Sequence, residues 1–213
     1  MADNRNYQWI DPGIVQRPEY PFIESWIYEG AKVIDLGCGN GSLLRLLQER
    51  KRIKEYGIEL SESGVTICKD HGLHVRQGRI DIPLNDIPDH AYDFSICNVT
   101  LQMVTNPEIT LTEMKRISKY QILSFPNFAF LSQRLELLFL GRMPQRLLYG
   151  YTWYSTGHIH QLSIKDFRRD TAALGLSVKE SVFLVGKHRM PAAFMPNLLA
   201  TEAIMLLEKN SHD

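Results

Sequence analysis

Apolar positions in this chain follow two rhythms. Short apolar-rich runs at Lys32-Val33-Ile34-Asp35-Leu36, Lys54-Glu55-Tyr56-Gly57-Ile58-Glu59-Leu60, residues 73–77, Tyr92-Asp93-Phe94-Ser95-Ile96-Cys97-Asn98 and Tyr120-Gln121-Ile122-Leu123-Ser124-Phe125 predict buried strands. Between them the spacing turns helical. Leu43, Leu44, Leu46 and Leu47 share one face, and Ile109, Leu111, Met114 and Ile117 form another stripe. Local chemistry marks the ends: Ser61 or Ser63 as a helix cap, Gly72 as a stop, and Asn106-Pro107-Glu108 as cap, first-turn proline and acid. Ser163-Ile164-Lys165-Asp166 opens a later helix that ends at Gly175. Residues 176–184 predict a sixth strand. Residues 202–208 are ambiguous by period and are read as a seventh. Strands alternating with helices predict a mostly parallel α/β sheet.

The first strand runs into Asp35-Leu36-Gly37-Cys38-Gly39-Asn40-Gly41, a tight turn before a helix. Glycines there allow a ligand to lie against bare backbone, with helix N–H groups aimed at it. A dinucleotide fingerprint needs a glycine at position 42, which holds Ser42; the third glycine comes one residue early. The resulting D-x-G-x-G-x-G resembles the pattern of S-adenosylmethionine (SAM) methyltransferases. That resemblance implies a Rossmann-like class I fold with seven strands, the last antiparallel. SAM's ammonium group would want an acid, which Asp35 supplies. Glu59 ends the second strand about twenty residues past the first glycine, where a βαβ unit sets an acid against a ribose diol. After the third strand, many such enzymes have Gly-Asp, the Asp accepting from the adenine amino group. Here Gly78-Arg79-Ile80-Asp81 puts Arg79 in that place, leaving Asp81 or the Ile80 backbone for the adenine.

Charge narrows the partners. The 24 basic and 24 acidic side chains balance, so no general attraction to nucleic acid or an anionic membrane is expected. Cys38, Cys68 and Cys97 have no metal-ligand or disulfide spacing, which suits reduced thiols in a cytoplasm. Residues 1–7 lack the apolar core of a signal peptide, and no run is long enough to span a membrane. Residues 1–30 read as an N-terminal extension to a single domain over 31–213. Proline and glycine at 12–13 and the prolines at 18 and 21 break regular structure, and Ile23, Trp26 and Ile27 form the apolar face of a short helix over residues 22–28.

The segment after the fourth strand faces the transferring methyl in this fold. Asn98-Val99-Thr100-Leu101 is not the [DN]-P-P-[YF] of amino-directed nucleic-acid and protein enzymes, and no Pro-Cys nucleophile of cytosine-C5 enzymes is present. Residues 126–163 form an aromatic-rich insert with Tyr149, Tyr151, Trp153, Tyr154, His158 and His160. Such aromatics cost entropy to order, so they are expected to pack on something. A self-packed cover over the sheet edge, a substrate lid and a docking surface all fit. His158 and His160 share a face but lack further ligands at metal spacing, so no metal site is expected. His160 and Tyr154 are the candidates for a base or positioning group.

These motifs together resemble one family, the bacterial MetW proteins. The match runs through residues 33–41, Tyr56-Gly57-Ile58-Glu59, residues 77–81, Thr100-Leu101-Gln102 and Asn106-Pro107. It continues through Ser124-Phe125-Pro126-Asn127-Phe128, Gly141-Arg142-Met143-Pro144, Trp153-Tyr154-Ser155-Thr156 and Ile159-His160. The resemblance implies a methyltransferase-like fold and a role in methionine biosynthesis as an accessory partner of homoserine O-acyltransferase. It implies a SAM or S-adenosylhomocysteine site at Asp35, Gly37, Cys38, Gly39, Glu59, Leu60, Arg79, Ile80, Asp81, Asn98 and Gln102. The alternative is an active methyltransferase on a small molecule.

Overall fold

A computed structural model describes residues 9–11, 16–145, 152–191 and 194–210. Tyr149, Tyr151 and the Pro12-Gly13 turn lie outside the described residues. The elements are α1 (Tyr20–Trp26), β1 (Lys32–Leu36), α2 (Ser42–Lys51), β2 (Lys54–Glu59), α3 (Glu62–Asp70), β3 (Val75–Gln77) and β4 (Tyr92–Asn98). A 3-10 turn (Leu101–Met103) leads to α4 (Pro107–Ile117), β5 (Ser118–Pro126), α5 (Leu131–Leu140), α6 (Ile164–Ala173), β6 (Leu176–Val185), β7 (His188–Arg189), α7 (Pro196–Leu199) and β8 (Glu202–Lys209).

One sheet runs β3-β2-β1-β4-β5-β8-β6-β7. The first five of these strands pair in parallel. β8 is antiparallel to both β5 and β6. The seven expected strands are all present, and residues 202–208, ambiguous by period, are indeed strand. An eighth was not foreseen: β7 is a two-residue return of β6 after Gly186, whose φ is +60. So short a strand carries no periodic signal.

Alternation along each strand splits the core into two layers. Val33, Phe94, Ile96, Ile204 and Leu206 pack with α1, α2 and α3 on one face. Ile34, Cys97, Leu123, Met205 and Leu207 pack with α4 and α6 on the other. α1 begins at Tyr20, inside the proline-rich stretch expected to be irregular, because a proline in the first helical turn loses no bond. Its Ile23 and the Ile27 that follows its last turn are fully buried. Asn106 does not cap α4 with its side chain. Its Nδ2 instead donates to the Asp81 carbonyl at 3.2 Å, tying the loop after β3 to the helix.

Candidate functional site

The strand order turns back between β1 and β4, and the crevice beyond their carboxyl ends is where ligands sit in such sheets. Leu36 leads there into Gly37, with φ +85, then Gly39, with φ +58. A Cβ on Gly37 would stand 2.5 Å from Thr100 Cγ2, and one on Gly39 would stand 2.8 Å from the Trp9 ring. The backbone itself is therefore the wall of the crevice. The Gly37 N–H donates to the Ile58 carbonyl at 2.8 Å, which locks the turn onto β2.

Glu59 reaches across from β2. Its Oε2 accepts from Gly39 N–H at 2.7 Å and its Oε1 from Ser61 N–H at 2.8 Å. The same turn so fixes the carboxylate expected to meet a diol. Asp35 differs. It is 2% exposed, and its Oδ1 has no hydrogen-bond partner among the described residues. Burial, with Glu59 nearby, raises its pKa to about 7, against a smaller opposing pull from Arg17. Cys38 is buried beside Cys68, and that contact together with burial pushes its thiol well up, leaving it inert.

The loop after β3 is fully tied. Arg79 grips Asp81 through Nε at 2.9 Å and a terminal nitrogen at 2.8 Å, and Thr105 N–H donates to the same carboxylate at 2.9 Å. Burial opposes ionisation of Asp81, but the Arg79 fork and the Thr105 amide outweigh it and hold the pKa below its ordinary value. The departure from Gly-Asp is thus a salt bridge that anchors the loop. Leu60, 43% exposed, offers an apolar side chain beside it.

On the other side of the crevice, β4 ends at Asn98, and Val99 adopts φ +51. A β-branched residue in that region is strained and marks a place where the structure holds the backbone against preference. Val99 N–H donates to the Ser124 carbonyl and hydroxyl, both at 3.1 Å, and its carbonyl accepts from Gln102 Nε2 at 3.0 Å. Asn98 Nδ2 donates to Glu19 at 3.1 Å. The end of the insert closes onto the same turn: the N–H groups of Ile159 and His160 donate to the Gln102 carbonyl at 3.0 and 3.1 Å. Gln102 Oε1 and His160 Nε2 are both buried and without hydrogen-bond partners among the described residues.

The structure therefore gathers Asp35, Gly37, Cys38, Gly39, Glu59 and Leu60 on one side of the crevice, Asn98, Gln102 and His160 on the other, and sets Arg79, Ile80 and Asp81 beyond β2. Tyr154 is not among them. It is 73% exposed with its ring edge-on to Trp153. Sequence reasoning missed Trp9, Arg17, Glu19 and Glu202. Trp9 covers the glycine turn with its ring, its backbone N–H donating to Ser63 Oγ at 3.0 Å. Glu202 opens β8, and only the antiparallel register with β5 puts it at this edge. A buried acid with an unpaired oxygen, a second acid fixed on the glycine turn and a wall of bare backbone fit a cationic ligand that carries vicinal hydroxyls.

A family model, methionine biosynthesis protein MetW, matches residues 17–207. The chain belongs to the MetW family. The bifunctional methionine biosynthesis protein MetXA/MetW of Rhodopirellula baltica is 30% identical over 222 aligned positions, covering 99% of this chain. This chain spans 36% of that relative's length. Among solved structures, a chain from the complex between the Haloferax volcanii Trm112 methyltransferase activator and a methyltransferase superposes with a TM-score of 0.67 at 18% identity, covering 91% of this chain and 89% of that one. The magnesium protoporphyrin IX methyltransferase of Synechocystis, solved with bound S-adenosylhomocysteine, gives 0.63 at 17% identity, covering 90% and 82%. The fold is that of class I SAM-dependent methyltransferases, and membership of the MetW family supports a role in methionine biosynthesis.

Proposed function

We propose that this MetW-family chain binds SAM or S-adenosylhomocysteine in the cytoplasm and acts as a regulatory partner of a homoserine O-acyltransferase. The observation that carries the cofactor half is the Asp35 carboxylate, buried, raised in pKa and unpaired beside the glycine turn. A carboxyl in that state gains most from a cation, and the ligand's ammonium group supplies one. Glu59 takes the ribose hydroxyls, the Gly37–Gly39 turn receives the ligand as the Trp9 ring over Gly39 gives way, and Leu60 with the Ile80 backbone receives the adenine. Asp81 keeps its partner Arg79 and holds the loop in place.

The partner half is supported by the relative in which MetXA and MetW form one bifunctional protein. The insert adds a surface for it. α5 buries only Gln133. Leu137, Leu138, Phe139 and Leu140 are 54 to 74% exposed, a run that a self-packed cover would have hidden. Each such side chain, once covered by a partner, gains roughly 1.5–3 kcal/mol.

The test measures homoserine O-acyltransferase turnover with and without this chain, each with and without SAM. The expected result is higher turnover with the chain, altered in extent by SAM, and lost in a Leu138→Ser, Phe139→Ser variant. Turnover indifferent to a saturating amount of chain overturns the partner role. One observation favours the second reading, an active small-molecule methyltransferase: His160 Nε2 and Gln102 Oε1 stand unpaired next to the strained Val99 turn. Accumulation of S-adenosylhomocysteine from SAM in the presence of a small-molecule pool, abolished by His160→Asn, would establish it.

A further inference from the structure

Glu202 is the first residue of β8, in register with Pro126 of β5 on one side and Leu184 of β6 on the other. Neighbouring strands lie about 4.8 Å apart, so β8 sits roughly 10 Å from β4 and about 14 Å from β1 along the same carboxyl edge. Glu202 is therefore a separate acid from Asp35, on the far side of the crevice. It is 9% exposed, and its Oε1 has no hydrogen-bond partner among the described residues. Glu19, 2% exposed, approaches from the segment before α1 and accepts from Asn98 Nδ2.

These carboxylates share one cation. An Arg17 terminal nitrogen lies 4.0 Å from Glu19 Oε1, beyond a hydrogen bond, and the Arg17 side chain is 41% exposed. Burial and the nearby Glu19 push the Glu202 pKa up to about 8, and Arg17 only partly offsets them. Arg17 acts in the same partial way on Asp35 and on the buried Tyr20 hydroxyl. One half-exposed guanidinium thus serves three acids and hydrogen-bonds none of them closely. A buried carboxyl with an unused oxygen, as Glu202 has, is a poor structural solution, since a buried acid ordinarily finds donors.

We propose that Glu202, with Glu19 and Asn98, forms a second cation subsite that receives the protonated amine of a small molecule, displacing Arg17 toward solvent. A primary ammonium brings three donors in a compact head. Glu202 Oε1 offers an open acceptor on this edge, and Glu19, held by Asn98 Nδ2 at 3.1 Å, brings a second carboxylate to it. A neutral hydroxyl leaves the acids uncompensated, and an anion is repelled. The subsite stands on its own residues, whether or not SAM binds at Asp35.

The test uses the full chain and ligand-observed NMR titration of n-propylamine, with n-propanol as its neutral counterpart. The expected result is that the amine binds and the alcohol does not. Glu202→Gln, which keeps the shape of the protonated carboxyl and so the fold, weakens the amine by about tenfold or more. Arg17→Ala tightens it, because the resident cation is gone. Equal binding of amine and alcohol, or amine binding unchanged in Glu202→Gln, overturns the subsite. Amine binding lost in Asp35→Asn but kept in Glu202→Gln also overturns it, by placing the amine at β1.

Discussion

Asp81 and Glu113 sit in the loop and helix beside β3 and β4, and each carboxylate meets an arginine fork. Glu113 is held by Arg116 through contacts of 2.6 and 3.1 Å, and the Arg116 guanidinium also donates to the carbonyls of Leu84 and Ile87 at 2.9 and 2.7 Å. Arg116 holds the Glu113 pKa below its ordinary value, as Arg79 does for Asp81 against its burial. Asp35 and Glu202, at the carboxyl edge of the same sheet, are buried with no such fork, and burial pushes them up to about 7 and about 8. The two regions hold the same side-chain chemistry in opposite states. Where the acids are paired, the charge holds the chain together. Where they are left open, the fold is carrying a cost that a cationic ligand removes.

The largest expected effect breaks the paired region. Arg116→Ala strands buried Glu113 and two carbonyls and should cost about 3 kcal/mol in urea unfolding. A loss below about 1 kcal/mol would mean that the fork is ornamental. Next comes the glycine turn. Gly37→Ala sets a side chain at φ +85 and drives its Cβ into Thr100, so it should cost about 2 kcal/mol. Adding Thr100→Ala should recover only the part due to the clash, leaving the backbone strain.

The open region should show itself through pH. Asp35 and Glu202 keep protons in the folded chain that the unfolded chain releases, from 3.8 to about 7 and from 4.5 to about 8. Through those windows the unfolded state binds fewer protons, so stability falls as pH rises, by up to about 1.4 kcal/mol per pH unit for each group. Glu202→Gln should flatten that slope and raise stability at pH 8 to 9; an unchanged slope would contradict the raised pKa. The paired acids act in the opposite sense. Asp81 and Glu113 contribute stability above their unfolded pKa values, and it is lost as pH falls through their lowered folded ones. The smallest effect is on α5. Leu138→Ser with Phe139→Ser should leave the melting free energy within about 0.5 kcal/mol, since both are mostly exposed, while affinity for the acyltransferase falls. A large loss of stability would instead make that helix part of the core.

Much of the fold could be read before any coordinates, because its signals are local. The run Lys32–Leu36 with the glycines after it, Ser61 before α3 and Ser163 before α6 each specify their element within a few residues. Asp35 and Glu59 were legible for the same reason, since strand ends and glycine turns place them. Arg79 was legible only as a departure; that it grips Asp81 needed the loop geometry. Glu19 and Glu202 were hidden, because they come from opposite ends of the chain and meet only through the register of β8 with β5. The exposure of α5 was equally hidden: the insert reads as cover, lid or docking surface alike, and only the structure shows Leu137 to Leu140 uncovered.

Calorimetric titration of S-adenosylhomocysteine into the purified chain, alone and with homoserine O-acyltransferase present, decides whether the open acid at β1 serves a regulatory cofactor site. Binding is expected in both conditions, weakened in Asp35→Asn, with an affinity that shifts when the acyltransferase is added. That shift is the coupling free energy between cofactor and partner. Absence of binding in both conditions would contradict the cofactor site, and binding of the same strength with and without the acyltransferase would contradict regulation through it.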